Sequence, residues 1–266
     1  MKKSYFILCI ISALLWGIGC SDPEEGAGDR KESVQGEVEI IVSAAASLTD
    51  ALNEIKRSFE EEYQGISITY NFGSSGALQQ QIIQGAPVNI FFSAAEDKFD
   101  ELMEKGLIQK EDGVDLVGND IVLVTPTDME MIQSFADLPE QAQTLSIGTP
   151  ESVPAGKYAK EMLENIGLWK EMEQQIVYAK DVRQVLTYVE TGNVDAGIVY
   201  RTDALISSKV NIVATAEEGT HAQIIYPLGI IDESDNRNET RIFYEYLQSE
   251  KSLKILEEYG FRNLLE

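Results

Sequence analysis

From residue 38 onward, apolar and polar positions follow two alternating periods. Residues 38–42, 66–70, 89–92, 121–124, 145–147, 196–200, 210–213 and 224–231 are short runs rich in β-branched and apolar side chains, and they predict strands. Between them, Leu48, Leu52, Ile55 and Phe59 recur at helical spacing within 47–63, as do Val182, Val185, Leu186 and Val189 within 181–191. Further helices are expected at 77–84, closed by Gly85; at 96–105, stopped by Gly106; and at 154–166, with Pro154 in the first turn. Two more, at 239–248 and 252–259, finish the chain. Strand alternating with helix predicts an α/β fold with helices on both sheet faces. No linker composition interrupts the pattern after residue 37, so a second lobe requires the chain to cross over and return. The runs 121–124 and 224–231 are the expected crossing strands. The expected lobes are then 38–122 plus 228–266, and 123–227.

The first twenty residues read as an address. Lys2 and Lys3 precede an apolar stretch over 4–18, too short to span a bilayer comfortably, which ends at Gly19 and Cys20. This junction resembles a bacterial lipobox, although Gly17 stands where leucine is commonest and Leu15 is two positions early. The expectation is a lipoprotein signal peptide over 1–19, then a lipidated Cys20 and a flexible tether over 20–37. A plain signal peptide with Cys20 as a bystander is the alternative. Either way the protein is exported, and the lipid would hold it at the extracytoplasmic or periplasmic face. Cys9 and Cys20 are the only cysteines and cleavage removes the first, so no disulfide is expected and the core must stabilise the fold alone.

Composition narrows the chemistry. Lysine plus arginine number 21 against 45 acidic residues, a net charge of −24, which makes nucleic acid and anionic lipid surfaces poor partners. A single histidine, His221, leaves little room for a zinc site or a histidine-based nucleophile system. Four helix starts share one property. They are Ser47-Leu48-Thr49-Asp50, with Ser47 as N-cap candidate; Gly73-Ser74-Ser75-Gly76; Val153-Pro154-Ala155-Gly156; and Asp181-Val182-Arg183, with Asp181 as N-cap. The first N–H groups of any helix lack intrahelical partners and carry the positive end of the helix dipole. Small residues at three of these starts allow a ligand to reach the backbone. Together they describe an anion site made of neutral donors.

These blocks also carry a resemblance. Residues 44–51 (AAASLTDA), 72–78 (FGSSGAL) with Gln81-Ile82, 84–87 (QGAP), 150–159 (PESVPAGKYA), Asp181-Val182-Arg183, 197–200 (GIVY) and Tyr226-Pro227 resemble the periplasmic molybdate-binding protein (ModA) family, in its order and over nearly the whole chain after the tether. The resemblance implies a two-lobed periplasmic-binding-protein fold of type II. It implies that the protein is a monomer which binds molybdate or tungstate in the inter-lobe cleft and delivers it to the permease and ATPase subunits of an ABC importer. It further implies that Ser47 and Ser75 supply hydroxyl and backbone donors, Ala155 and Val182 backbone N–H groups, and Tyr200 its phenolic O–H. Gly76 replaces a serine of some members, leaving only a backbone donor there. No cofactor, catalytic residue or separate metal site is expected, and membrane contact is through the lipid alone.

Molybdate carries four acceptor oxygens and no proton at neutral pH, which suits a site made only of donors. A protonated phosphate would face a donor with its own O–H, at a cost of about 1–3 kcal/mol. Sulfate, excluded only by size, is the main alternative cargo; a carboxylate-dependent hydrolase is the alternative of another class. Because a carboxylate in the pocket would oppose an anion, Asp50 and Asp181 are expected to point away. Arg183 is left between ligand contact and a role on the surface or toward the permease.

Overall fold

The computed structural model describes residues 38–232 and 235–265. The expected signal peptide, Cys20 and the tether lie outside the described residues. Along the chain run β1 (Val38–Ala45), α1 (Thr49–Glu62), β2 (Ile66–Gly73), α2 (Ser75–Ile83), β3 (Ile90–Phe92), α3 (Glu96–Glu104), β4 (Gly113–Gly118) and β5 (Ile121–Pro126). Then follow α4 (Leu138–Gln141), β6 (Leu145–Gly148), α5 (Pro154–Asn165), α6 (Trp169–Met172), β7 (Ile176–Ala179), α7 (Val182–Glu190), β8 (Ala196–Tyr200), α8 (Arg201–Leu205) and β9 (Val210–Thr215). The chain closes with β10 (Ile225–Ile230), α9 (Arg237–Leu247), α10 (Glu250–Glu258) and β11 (Arg262–Asn263).

The strands form two mixed sheets, ordered β11-β4-β10-β3-β1-β2 and β7-β6-β8-β5-β9, one for each lobe of an α/β fold. In the first, β1 lies parallel between β2 and β3, while β10 runs antiparallel between β3 and β4. In the second, β6 is parallel to β7 and β8, and β5 is antiparallel to β8 and β9. Sheet membership changes between Gly118 and Ile121, and again between Thr215 and Ile225. The run 121–124 therefore pairs wholly within the second sheet and 225–230 wholly within the first. The crossings themselves are the Asn119-Asp120 link and the segment 216–224. The expected boundaries at 122/123 and 227/228 fall a few residues beyond these points.

Alternation within β3 shows how the first sheet is buried on both faces. Ile90 and Phe92 join the cluster built with Leu52, Ile55 and Phe59 of α1 and Phe243 of α9, whereas Phe91 faces Leu78, Ile82, Phe99 and Leu102 of α2 and α3. Phe59 and Phe243 meet edge to face with centroids 4.7 Å apart. In the second lobe α5 and α7 pack on β6 and β8, so the apolar stripes read from the sequence are core stripes.

Strands β4, β7 and β11 were not legible as strands. β4 contains Asp115 and two glycines, and β7 and β11 are edge strands of four and two residues. Their pairing comes from neighbours rather than from their own pattern.

One close approach fixes the second lobe's leading helix. A Cβ at Gly156 would lie 1.9 Å from the carbonyl oxygen of Gly148, the last residue of β6. Gly156→Ala must push α5 off the sheet and should cost about 1–3 kcal/mol, the usual penalty for overpacking. Urea unfolding of the two proteins measures it, and equal midpoints would contradict this packing.

Candidate functional site

The loops at the carboxyl ends of the parallel strands of both sheets meet in the gap between the lobes, where open α/β sheets place their ligands. β1 leads into a 3-10 turn, Ala46–Leu48, before α1. β2 leads through Ser74 into α2, and β3 into Ser93 and Ala94. From the other lobe, β6 leads to Val153 and α5, and β7 to Asp181 and α7. Ala45, Ala46, Gly73, Ser74, Ser75 and Ala94 of the first lobe and Val153, Pro154, Asp181 and Val182 of the second line a small cavity. No lysine or arginine lines it.

Of the expected ligand residues, Ser75 and Val182 line this cavity directly. Ser47 and Ala155 each follow a lining residue, Ala46 and Pro154 respectively, and Tyr200 closes β8 with its hydroxyl 3.4 Å from the lining Ala94 carbonyl. All five are buried. Ala155 and Val182 sit in the first turns of α5 and α7, where an N–H has no acceptor within its own helix. The Ser75 hydroxyl accepts the Ala94 N–H at 2.9 Å, tying α2 to the end of β3. Asp181 caps α7 by accepting the Gln184 N–H at 2.8 Å, so this lining carboxylate is engaged by its own helix.

Ser47 does not cap α1. The helix is preceded by the 3-10 turn, and Ser47 instead turns inward to the Tyr226 hydroxyl at 2.9 Å. Tyr226 also receives Asn119 Nδ2 at 3.2 Å, and the same nitrogen reaches Thr202 Oγ1 at 2.9 Å. This buried group joins both lobes where the chain crosses. Tyr226 stood in the sequence only as part of a family block, and Asn119 carried no pattern of its own. Burial raises the Tyr200 and Tyr226 phenols well above the ordinary tyrosine range, so both remain protonated.

Three further contacts reach across the gap, beside the Tyr200 hydroxyl on the Ala94 carbonyl. The Gly76 N–H donates to the Ser152 carbonyl at 3.0 Å, and a Cβ at Gly76 would lie 2.7 Å from that oxygen and 2.8 Å from the Ser152 Cα. Lys157 pairs with Asp97 at 3.2 Å, both half-exposed. Arg183 Nη2 meets Asp50 at 2.5 Å across the gap, while its Nε lies 2.7 Å from Asp203. The Nε contact lacks the alignment of a hydrogen bond. Arg183 is therefore an inter-lobe ion-pair residue in this state, and Asp50 points at it rather than into the cavity.

The family profile of bacterial extracellular solute-binding proteins matches residues 40–262. Molybdate-binding protein ModA of Haemophilus influenzae is 37% identical over 84% of this chain and 89% of its own length. This chain belongs to the ModA-like bacterial extracellular solute-binding proteins. It is also 51% identical to YvgL of Bacillus subtilis, provisionally named an ABC transporter substrate-binding lipoprotein, over 98% of both chains. A molybdate-binding protein of Azotobacter vinelandii superposes with a TM-score of 0.76 at 21% identity, covering 84% of this chain and 98% of that one, which speaks to the fold alone.

Within this ModA-like fold the fully buried Asp203 gives a pH signature. Burial pushes its carboxyl up to about 7, against the opposing pull of Arg183 and with a further push from Asp50 and Asp181. Its folded affinity for a proton exceeds that of an unfolded aspartate, near 4. The stability it contributes is thus complete below about pH 4 and is lost as the pH rises through about 7. Asp203→Asn should gain stability relative to the unsubstituted protein between pH 5 and pH 8, measured by urea unfolding at both. The same difference at both values would mean that Asp203 titrates as an ordinary carboxylate.

Proposed function

We propose that this substrate-binding protein of an ABC transporter captures molybdate or tungstate in the inter-lobe cavity and, held by a lipid on Cys20, delivers it to the permease. One observation carries the reading: helix starts and strand ends from both lobes surround a small cavity that has no cationic side chain in its lining. Neutral N–H and O–H donors suit an ion with four acceptor oxygens and no proton. Ser47, Ser75, Ala155, Val182 and Tyr200 are the proposed ligand residues. The binding lobes are 38–122 plus 228–266, and 123–227, within a few residues. The relatives are solute-binding proteins, and a capture role without turnover is in keeping with them. The 51% identity to a lipoprotein supports the anchor.

The acidic exterior does not oppose this. Charges farther than about 8 Å are screened at physiological ionic strength. Helix dipole ends of about half a charge each act at contact distance.

Titration calorimetry with molybdate, tungstate, sulfate and phosphate tests the cargo. Molybdate or tungstate should bind tightest, and sulfate binding as tightly would reassign the protein to another oxyanion. Ala155→Asp should abolish binding by setting a carboxylate among the donors, whereas retained affinity would move the pocket elsewhere. Gly76→Ala should weaken molybdate at least tenfold with little change in melting temperature, because the added methyl meets Ser152 only when the lobes close. Unchanged affinity would show that this contact plays no part in capture.

A further inference from the structure

We infer that Asn119 and Tyr226 fix the direction of the Ser47 hydroxyl, so that its one hydrogen is kept for an oxyanion; this rests on the oxyanion reading of the cavity. One group in this chain of hydrogen bonds has no choice of direction. The Asp120 backbone N–H can only donate, and it donates to Asn119 Oδ1 at 2.9 Å. That contact sets the orientation of the amide, leaving Nδ2 on the other side with two hydrogens. They go to Thr202 Oγ1 at 2.9 Å and to Tyr226 Oη at 3.2 Å. Tyr226 is thereby an acceptor toward Asn119. Its single hydrogen is left for Ser47 Oγ at 2.9 Å.

The opposite direction carries a penalty. If Ser47 donated to Tyr226, the phenol hydrogen of this fully buried side chain would have only the neighbouring Tyr200 hydroxyl to turn to, with which it makes no aligned hydrogen bond among the described residues. Asn119, Thr202 and Ser47 are buried as well, so water offers little relief. With Ser47 Oγ accepting from Tyr226, the serine hydrogen is free to point elsewhere. Ser47 directly follows Ala45 and Ala46, which line the cavity. Asn119 and Tyr226 are thus positioning residues, acting through Ser47 to keep its hydrogen available to the ion. The selectivity consequence is specific. Proton-free ions such as molybdate and sulfate benefit alike, and hydrogen phosphate, which brings a hydrogen of its own, benefits less.

An isosteric change at Asn119 should reverse the chain. In Asn119→Asp the carboxylate keeps the Asp120 N–H on one oxygen and accepts from Tyr226 with the other. The Tyr226 hydrogen leaves Ser47, and Ser47 then donates to Tyr226 and turns a lone pair toward the cavity. The experiment titrates the full-length protein with molybdate, and with sulfate and phosphate by competition, at about pH 8. The molybdate-to-phosphate affinity ratio should fall at least tenfold in Asn119→Asp and at least threefold in Tyr226→Phe. The molybdate-to-sulfate ratio should hold within twofold, because added charge or loosened packing weakens both ions together. In a Ser47→Ala background, Tyr226→Phe should leave the phosphate ratio where it is. A folded variant with an unmoved phosphate ratio overturns the inference, and Tyr226→Phe decides it if Asn119→Asp does not fold. Failure of the unsubstituted protein to bind molybdate refutes the cargo instead. In that event the direction is read by NMR from the exchange-protected hydroxyl proton between Tyr226 and Ser47. Assignment of that proton to Tyr226 supports the chain, and assignment to Ser47 refutes it.

Discussion

Two backbones touch across the cleft at Gly76 and Ser152, and the closed arrangement depends on that contact. A side chain at position 76 would hold the lobes apart, and the cavity enclosed by Ser75, Val153 and Val182 would then be an open groove. Around this point the helix starts of α2, α5 and α7 bring backbone donors to one small cavity. Their alignment is set by the sheets beneath them: β1, β2 and β3 in one lobe, β6 and β7 in the other. The close seating of Gly156 against Gly148 serves the same end, because α5 presents its first turn at the cavity only if it lies tight on β6.

Electrostatics here is local. The chain carries a net charge of −24, yet the cavity lining has neither lysine nor arginine, and its one carboxylate is spent on capping α7. The basic side chains near the cleft are committed to carboxylates instead: Lys157 to Asp97, Arg183 to Asp50 and Asp203. Fixed dipoles therefore replace mobile cations, and a pocket of fixed dipoles needs little reorganisation when an ion enters.

Much of the fold could be read from periodicity, because α1, α5 and α7 have apolar stripes and β1, β5 and β8 are apolar runs. β4, β7 and β11 escaped because an edge strand or a glycine-bearing strand takes its identity from its partners. At the site, the small residues of 44–46, 73–76 and 153–156 announced a backbone-lined pocket. Ser47 followed by Asp50 matched a helix-capping pattern, but a 3-10 turn intervened and the hydroxyl turned inward to Tyr226. Local spacing could not show this, since Ser47 and Tyr226 are 179 positions apart. Arg183 was equally undecidable in one dimension. Its role follows from two aspartates, Asp50 and Asp203, brought to it from different lobes.

The direct contacts across the mouth of the cleft are individually weak. One backbone hydrogen bond and two partly exposed ion pairs each contribute about 1 kcal/mol or less. An occupant bonded to both halves would therefore add appreciably to the energy of closure. A clasp of that kind would stay shut while full and give way to a modest pull on either half.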